Sequence, residues 1–158
     1  MKTKLFIFIF SMLFLTNCVT TQTSHVSISN IDNHQFTIEN TKLVWKHTFS
    51  GNTSLISGSF SGLIPDNIGK LKWQYALPAY ISTGVFSGDY QVIKNDSTYT
   101  VLVKNLKVVS QTLLMGSTSY TRDVSDIVIT NGEFKSGMGF PQSLVILHDT
   151  FINKFNNK

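Results

Sequence analysis

The run from Phe86 to Val109, FSGDYQVIKNDSTYTVLVKNLKVV, constrains this chain more than any other stretch. Tyr90 and Val92 alternate with Gln91, and Tyr99, Val101 and Val103 alternate with Thr100 and Lys104. A period of two turns one row of side chains to a core and the other to water, the pattern of an antiparallel strand pair. Asn95-Asp96-Ser97 separates the two runs. Short polar side chains of this kind bond nearby backbone groups and favour a turn. In the second run the apolar phase changes, from Val101 and Val103 to Leu106 and Val108. One extra residue near Lys104-Asn105 accounts for the change, so a β-bulge is expected there.

The rest of the body reads in the same terms. His25 to Ile31 and Phe36 to Glu39 are short extended pieces with Asp32-Asn33-His34 as a turn. In Lys42 to Phe49, Leu43, Trp45, His47 and Phe49 share one face of a strand. In Lys70 to Leu77, Leu71, Trp73, Tyr75 and Leu77 do the same, and Pro78 ends the run because proline has no N–H for a ladder. Gly51 to Gly62 fits strand or loop. As a strand, its Gly58 and Gly62 mark a bulge or a close backbone approach. Gln111 to Tyr120 reads as a continuing strand, and Asp126 to Thr130 with Glu133 to Lys135 as a hairpin around Asn131-Gly132. After Gly139 the period becomes helical: Leu144, Leu147, His148, Phe151 and Phe155 form a stripe, and Pro141 suits a first turn. The expected fold is α+β and mainly β: a twisted antiparallel sheet with a C-terminal helix, about Gln142 to Asn156, packed on it.

The start of the chain bears on location. Lys2 and Lys4 precede an apolar run from Leu5 to Leu15, which has the layout of a secretory signal peptide and is short for a membrane span. Leu15-Thr16-Asn17-Cys18 resembles a bacterial lipobox, with Asn17 where a smaller residue is usual. That resemblance implies cleavage after residue 17 and diacylation of Cys18. The expected organisation is a leader over 1–17, an acylated Cys18 with a short tether over 18–24, and one domain over 25–158. Cys18 is the only cysteine, so an acylated chain has neither a disulfide nor a thiol nucleophile. The tether carries neither acidic residues, which mark surface export in lipoproteins of Bacteroidota, nor an Asp after the Cys, the inner-membrane retention signal of enterobacteria. The expected place is therefore the outer membrane, lipid-anchored and facing the periplasm.

Charge excludes one class of partner. The formal charge is +4, and removal of Lys2 and Lys4 with the leader lowers it to +2. Only 14% of residues are charged, against about a quarter in ordinary domains. No basic run follows the leader, so nucleic acid is not an expected partner.

Four groups of residues resemble small exported proteins of Bacteroidota in the style of the DUF4468 family. They are Trp45-Lys46 with Phe49, Leu77-Pro78-Ala79-Tyr80-Ile81 with Phe86-Ser87-Gly88, the strand from Tyr99 to Lys107, and the closing run from Ile146 to Phe155. The resemblance implies an antiparallel sheet with packed helices over about Lys42 to the C-terminus, and brings no catalytic residues. The chain departs from it after Phe49, where the group has a helix and Gly51 to Gly62 is rich in Gly and Ser. In Bacteroidota, Asp96-Ser97-Thr98 resembles an O-glycosylation acceptor, which makes Ser97 a candidate modification site.

No constellation nominates catalysis. His25, Asp32 and His34 match no metal-ligand spacing. His47 shares its face with Trp45, and His148 lies on the helical stripe. Asp149, next to it, points about 100° away. Gly58-Ser59-Phe60-Ser61-Gly62 misplaces its serines for a nucleophile elbow. No catalytic residue, metal site or cofactor is expected. Of the aromatic residues, Tyr80 and Tyr120 fall outside the clean alternation and are the candidates for a ligand-binding surface. Two readings follow, ahead of a third, a hydrolase with dispersed active-site residues. The first is a non-enzymatic outer-membrane lipoprotein that serves as accessory or scaffold subunit of an envelope complex, with other outer-membrane proteins as partners. The second is a lipoprotein that binds glycan, lipid or peptide through an aromatic patch. Buried rings at Trp45, Trp73 and Tyr80 favour the first, and exposed coplanar rings the second.

Overall fold

The computed structural model describes residues 35–66, 77–110, 119–137 and 139–156. The described elements are β1 (Phe36–Glu39), β2 (Lys42–Ser50), β3 (Gly58–Leu63), α1 (Ala79–Ser82), β4 (Val85–Lys94), β5 (Thr98–Ser110), β6 (Tyr120–Asp123), α2 (Val124–Val128), β7 (Ile129–Thr130), β8 (Glu133–Phe134) and α3 (Phe140–Phe155). The large sheet runs β1-β2-β5-β4-β3, with every pair antiparallel, and β6 also pairs with β5. The fold is therefore α+β and mainly β, with the C-terminal helix α3 packed on the sheet.

Strand β5 organises the rest because it is the longest, at 13 residues. One side pairs with β4 along nearly its whole length. The other side is shared: β2 takes Thr98 to Val103, and β6 takes Lys107 to Ser110. Asn105 lies between those two halves with a φ of 53°, and the β4 register shifts opposite it, between Ser87 and Asp89. This is the bulge that the change of apolar phase requires. It returns Leu106 and Val108 to the buried face that carries Tyr99, Val101 and Val103. Asn tolerates the left-handed conformation better than other residues with a Cβ, and Asn105 Nδ2 donates to Asp89 Oδ2 across the bulge at 2.8 Å.

Turn chemistry sets the short connections. Asn40 and Thr41 both have positive φ, and so do Asn131 and Gly132. These are two-residue turns whose twist matches that of the strands they join. The Asn131-Gly132 hairpin is shorter than the sequence suggests, with two residues on each side. Asp126 to Val128 belong to helix α2 instead of a strand. The reason is local: Asp123 Oδ1 accepts the Ser125 N–H at 2.8 Å, an N-cap that starts a helical turn. Within Gly51 to Gly62, only Gly58 onward is strand. The register against β4 slips between Phe60 and Leu63, where Gly62 has a φ of 72°. The expected strands His25 to Ile31, most of Lys70 to Leu77 and most of Gln111 to Tyr120 lie outside the described residues.

Helix α3 closes the core. Its Ser143, Leu144, Ile146, Leu147, Thr150, Phe151 and Phe155 are buried. The Phe151 ring lies 5.2 Å from Trp45 and 6.0 Å from Phe60, and Phe155 lies 5.1 Å from Tyr90. The Tyr99 hydroxyl donates to the Phe155 carbonyl at 2.9 Å, which ties the end of the helix to β5. Phe151→Ala is expected to lower the unfolding free energy by about 3–5 kcal/mol, as removal of a fully buried aromatic ring does. Asn105→Val, which forces a β-branched residue into the left-handed region, is expected to cost about 1–2 kcal/mol. Urea denaturation followed by circular dichroism measures both, with the exposed Lys46→Ala as a near-neutral reference.

Candidate functional site

Most polar groups inside the core are committed to structure. The Trp45 indole N–H donates to His148 Nδ1 at 3.1 Å. An indole nitrogen can only donate, so His148 Nδ1 carries no proton and Nε2 holds it. His47 Nδ1 lies 2.7 Å from Gln35 Oε1, an oxygen that can only accept, so His47 holds its proton on Nδ1. The two imidazoles are 5.9 Å apart, edge to face. Burial lowers the pKa of each ring from the ordinary value of 6.5. His148 lowers that of His47 further, and Asp149 partly opposes the shift at His148. Thr150 and Ser143 give their hydroxyl protons to the carbonyls of Ile146 and Gly139.

A second polar cluster joins β2 to β6. Beyond Trp45, β2 has left β5, and the Leu43 N–H donates to the buried Ser125 Oγ at 3.0 Å. Lys42 Nζ binds Asp123 Oδ2 at 2.7 Å. Partial burial pushes the Asp123 carboxyl up. The bonds from Lys42 and Ser125 outweigh this and hold it below its ordinary range. The Asp123 bonds raise the Lys42 ammonium in turn.

Next to this junction is a cleft of about 200 Å³, lined by Pro78, Tyr80, Val108, Tyr120, Arg122, Ile127 and Phe140. Its origin is in the strand register. Arg122 is the cross-strand partner of Val108, and Tyr120 that of Ser110. Cross-strand partners point to the same face, so Arg122 and Tyr120 occupy the face of the sheet that elsewhere carries the core. Both are nevertheless exposed. The opposite wall comes from α1 and the first turn of α3, where the rings of Tyr80 and Phe140 stack at 6.3 Å and 23°. Gly84 lets α1 lie against β5: a Cβ there would collide with the Tyr80 carbonyl oxygen and lie 2.5 Å from Val108 Cγ2.

Tyr80 is only 6% exposed, and its hydroxyl has no hydrogen-bond partner. Burial pushes its pKa up to about 12, with Ser143 opposing. The Ser143 oxygen, which donates its own proton to Gly139 O at 2.8 Å, keeps a lone pair for the phenol but does not meet it in hydrogen-bonding geometry. A buried unmade hydrogen bond costs about 1–3 kcal/mol. Among the described residues, Gln142 Oε1, one turn into the same helix corner, is the other buried side-chain atom in this state.

The candidate residues read from sequence divide accordingly. Tyr80 and Tyr120 come together on one cleft. Tyr80 is not the surface residue expected, because α1 tucks its ring against Phe140, whereas Tyr120 is 43% exposed. Trp45 is buried at 1%, and Trp73 lies outside the described residues. Ser97 sits on the exposed turn between β4 and β5, where its carbonyl accepts the Gly51 N–H at 2.7 Å. Cys18, His25, Asp32 and His34 lie outside the described residues. Among the described residues no three His, Cys, Asp or Glu side chains gather to hold a metal ion. Sequence reasoning missed Arg122. The available signal was its singularity: it is the one arginine among twelve lysines. Comparison with known proteins finds no matching family model, curated protein or solved structure.

The histidine pair makes the core sensitive to acid. Between the depressed folded pKa values and the unfolded value of 6.5, the unfolded chain holds more protons. Stability is thus full above 6.5 and is lost as pH falls through the folded values. Protonation of His148 Nδ1 also removes the acceptor for Trp45. Urea midpoints measured as the pH is lowered from 6.5 are expected to fall, and His148→Gln is expected to flatten part of that slope.

Proposed function

We propose that this protein is a non-enzymatic ligand-binding lipoprotein of the cell envelope, held through an acylated Cys18 at the outer membrane and facing the periplasm. The cleft between β6, α1 and α3 carries the reading, through one observation: Tyr80 leaves a buried hydroxyl unbonded on its wall. A fold tolerates such a loss where a ligand makes the bond. The bonded state of His47, His148, Ser125, Ser143 and Thr150 supports a binding role over a catalytic one, since these side chains already serve the fold. At about 200 Å³ the cleft is below the size of drug-like pockets, which start near 300 Å³. This favours a small molecule over a glycan chain or a peptide.

A second reading, as accessory subunit of an envelope complex, is favoured by the burial of the Trp45 and Tyr80 rings and by a different surface. Ile56 and Ile64 flank the edge strand β3 and are 75% and 64% exposed. Among the described residues no strand pairs with the outer edge of β3, and apolar side chains beside such an edge suit a protein contact.

Both readings are tested on protein taken from its native membranes in gentle detergent. The wild type is expected to incorporate palmitate and fractionate with outer membranes, and Cys18→Ala to lose both properties. Native mass spectrometry is expected to show the protein with a bound small molecule. Recovery at near-equal ratio with one membrane protein, and without small-molecule mass, would instead select the accessory reading.

A further inference from the structure

The charges around the cleft narrow its ligand. Arg122 lines it, and among the described residues no carboxylate does. Asp123, next in sequence, is held by Lys42. A second cation stands at the wall: Lys135 Nζ donates to the Ile127 carbonyl at 2.6 Å and lies 5.3 Å from the centre of the Phe140 ring. Both residues it touches line the cleft. The α3 helix begins at that same Phe140. No side chain caps its N-terminus, and no acidic residue sits in its first turn. The Phe140 N–H is taken by Gly137 O at 3.1 Å and Pro141 has none, so this helix start offers chiefly the partial positive charge of its dipole. Arg122 and Tyr80 thus line one cleft as donors, with the Lys135 charge and the positive end of α3 beside Phe140 at its wall. The remaining wall, from Pro78, Val108, Ile127 and Phe140, is apolar.

We propose that the cleft binds a small organic anion, with its carboxylate or phosphate held by Arg122 and Tyr80 and a compact apolar body laid against Val108, Ile127 and Phe140. Arginine suits the task because its planar fork meets two oxygens of such a group at once, which lysine cannot do. The volume corresponds to roughly seven water molecules at about 30 Å³ each, enough for a single ring or a short branched chain. This assignment rests on the ligand-binding reading above and specifies its chemistry.

Isothermal titration calorimetry on the purified whole protein tests it, with 3-phenylpropanoate and phenyl phosphate as anionic probes. The neutral 3-phenylpropanamide controls for charge, and inorganic phosphate controls for the apolar body. The expected result is saturable binding of at least one organic anion, with the amide and inorganic phosphate each about tenfold weaker or more. Arg122→Gln and Arg122→Lys are each expected to weaken the anion by about tenfold or more. Tyr80→Phe is expected to weaken it by several-fold while leaving the unfolding temperature of the ligand-free protein unchanged or raised, since the change removes a buried hydroxyl that bonds nothing. That last readout separates a ligand contact from a merely structural role. Equal affinity for the amide and the carboxylate, or binding unaffected by Arg122→Gln, would overturn the anion assignment and leave the ligand-binding reading standing. Failure of every probe to bind, together with native protein free of any small molecule, would overturn both.

Discussion

The burial of Trp45 between the sheet and α3 is the contact on which this structure depends. Its ring meets Phe151, Phe155, His148, His47 and Phe49 within 6.5 Å, and so joins β2 to the helix across most of the core face. An indole is apolar except for one N–H, and a buried N–H needs an acceptor. His148 provides it from α3 itself. The same residue therefore contributes area and fixes the register of helix against strand. The dependence on neutral imidazole is the consequence: a core that takes its acceptor from a histidine holds fewer protons than the unfolded chain, and acid works against it.

The cleft follows from a different constraint, the length of β5. A 13-residue strand in the middle of a sheet needs partners on both sides. β2 cannot supply them all, so β6 takes over beyond the Asn105 bulge. Where one strand replaces another, the layer above the sheet also changes. Helix α3 covers the β2 half. Among the described residues the β6 half lies against α1, α2 and the first turn of α3, and the cleft opens between them. Ser125 and the Lys42–Asp123 pair close the seam between β2 and β6, so the two sides of the junction keep a fixed relation. A salt bridge as exposed as this one adds little to stability. Strand alternation already turns Asp123 to the face opposite Arg122, and the pair holds it there, away from the cleft.

Strand periodicity was legible because a half-buried strand writes its facing into alternate residues. The β4–β5 hairpin, the bulge at Asn105, the Asn131-Gly132 turn and the span of α3 were all readable to within a few residues on that basis. The N-cap at Asp123 was harder to see: Val124, Ile127 and Val128 allow either period over so short a run, and the cap decides. Tyr80 stood out as an aromatic residue beyond the alternating runs, but its burial depends on Phe140, sixty positions away. Arg122 lay in a polar segment between two stronger patterns. Nothing local says that a β6 residue faces the inner side of the sheet.

The sequence by itself determined the periods, the turn residues and the apolar stripe, and with them an antiparallel sheet carrying a C-terminal helix. These are local properties, set by side-chain alternation and by which residues tolerate positive φ. The tertiary structure alone decided what those faces meet. It placed Trp45 on His148, gave Leu43 its acceptor in Ser125, and brought Tyr80, Tyr120, Arg122 and Phe140 to one cleft. Such pairings join residues tens of positions apart, and no periodicity records them. They depend on where β5 stops pairing with β2 and begins pairing with β6.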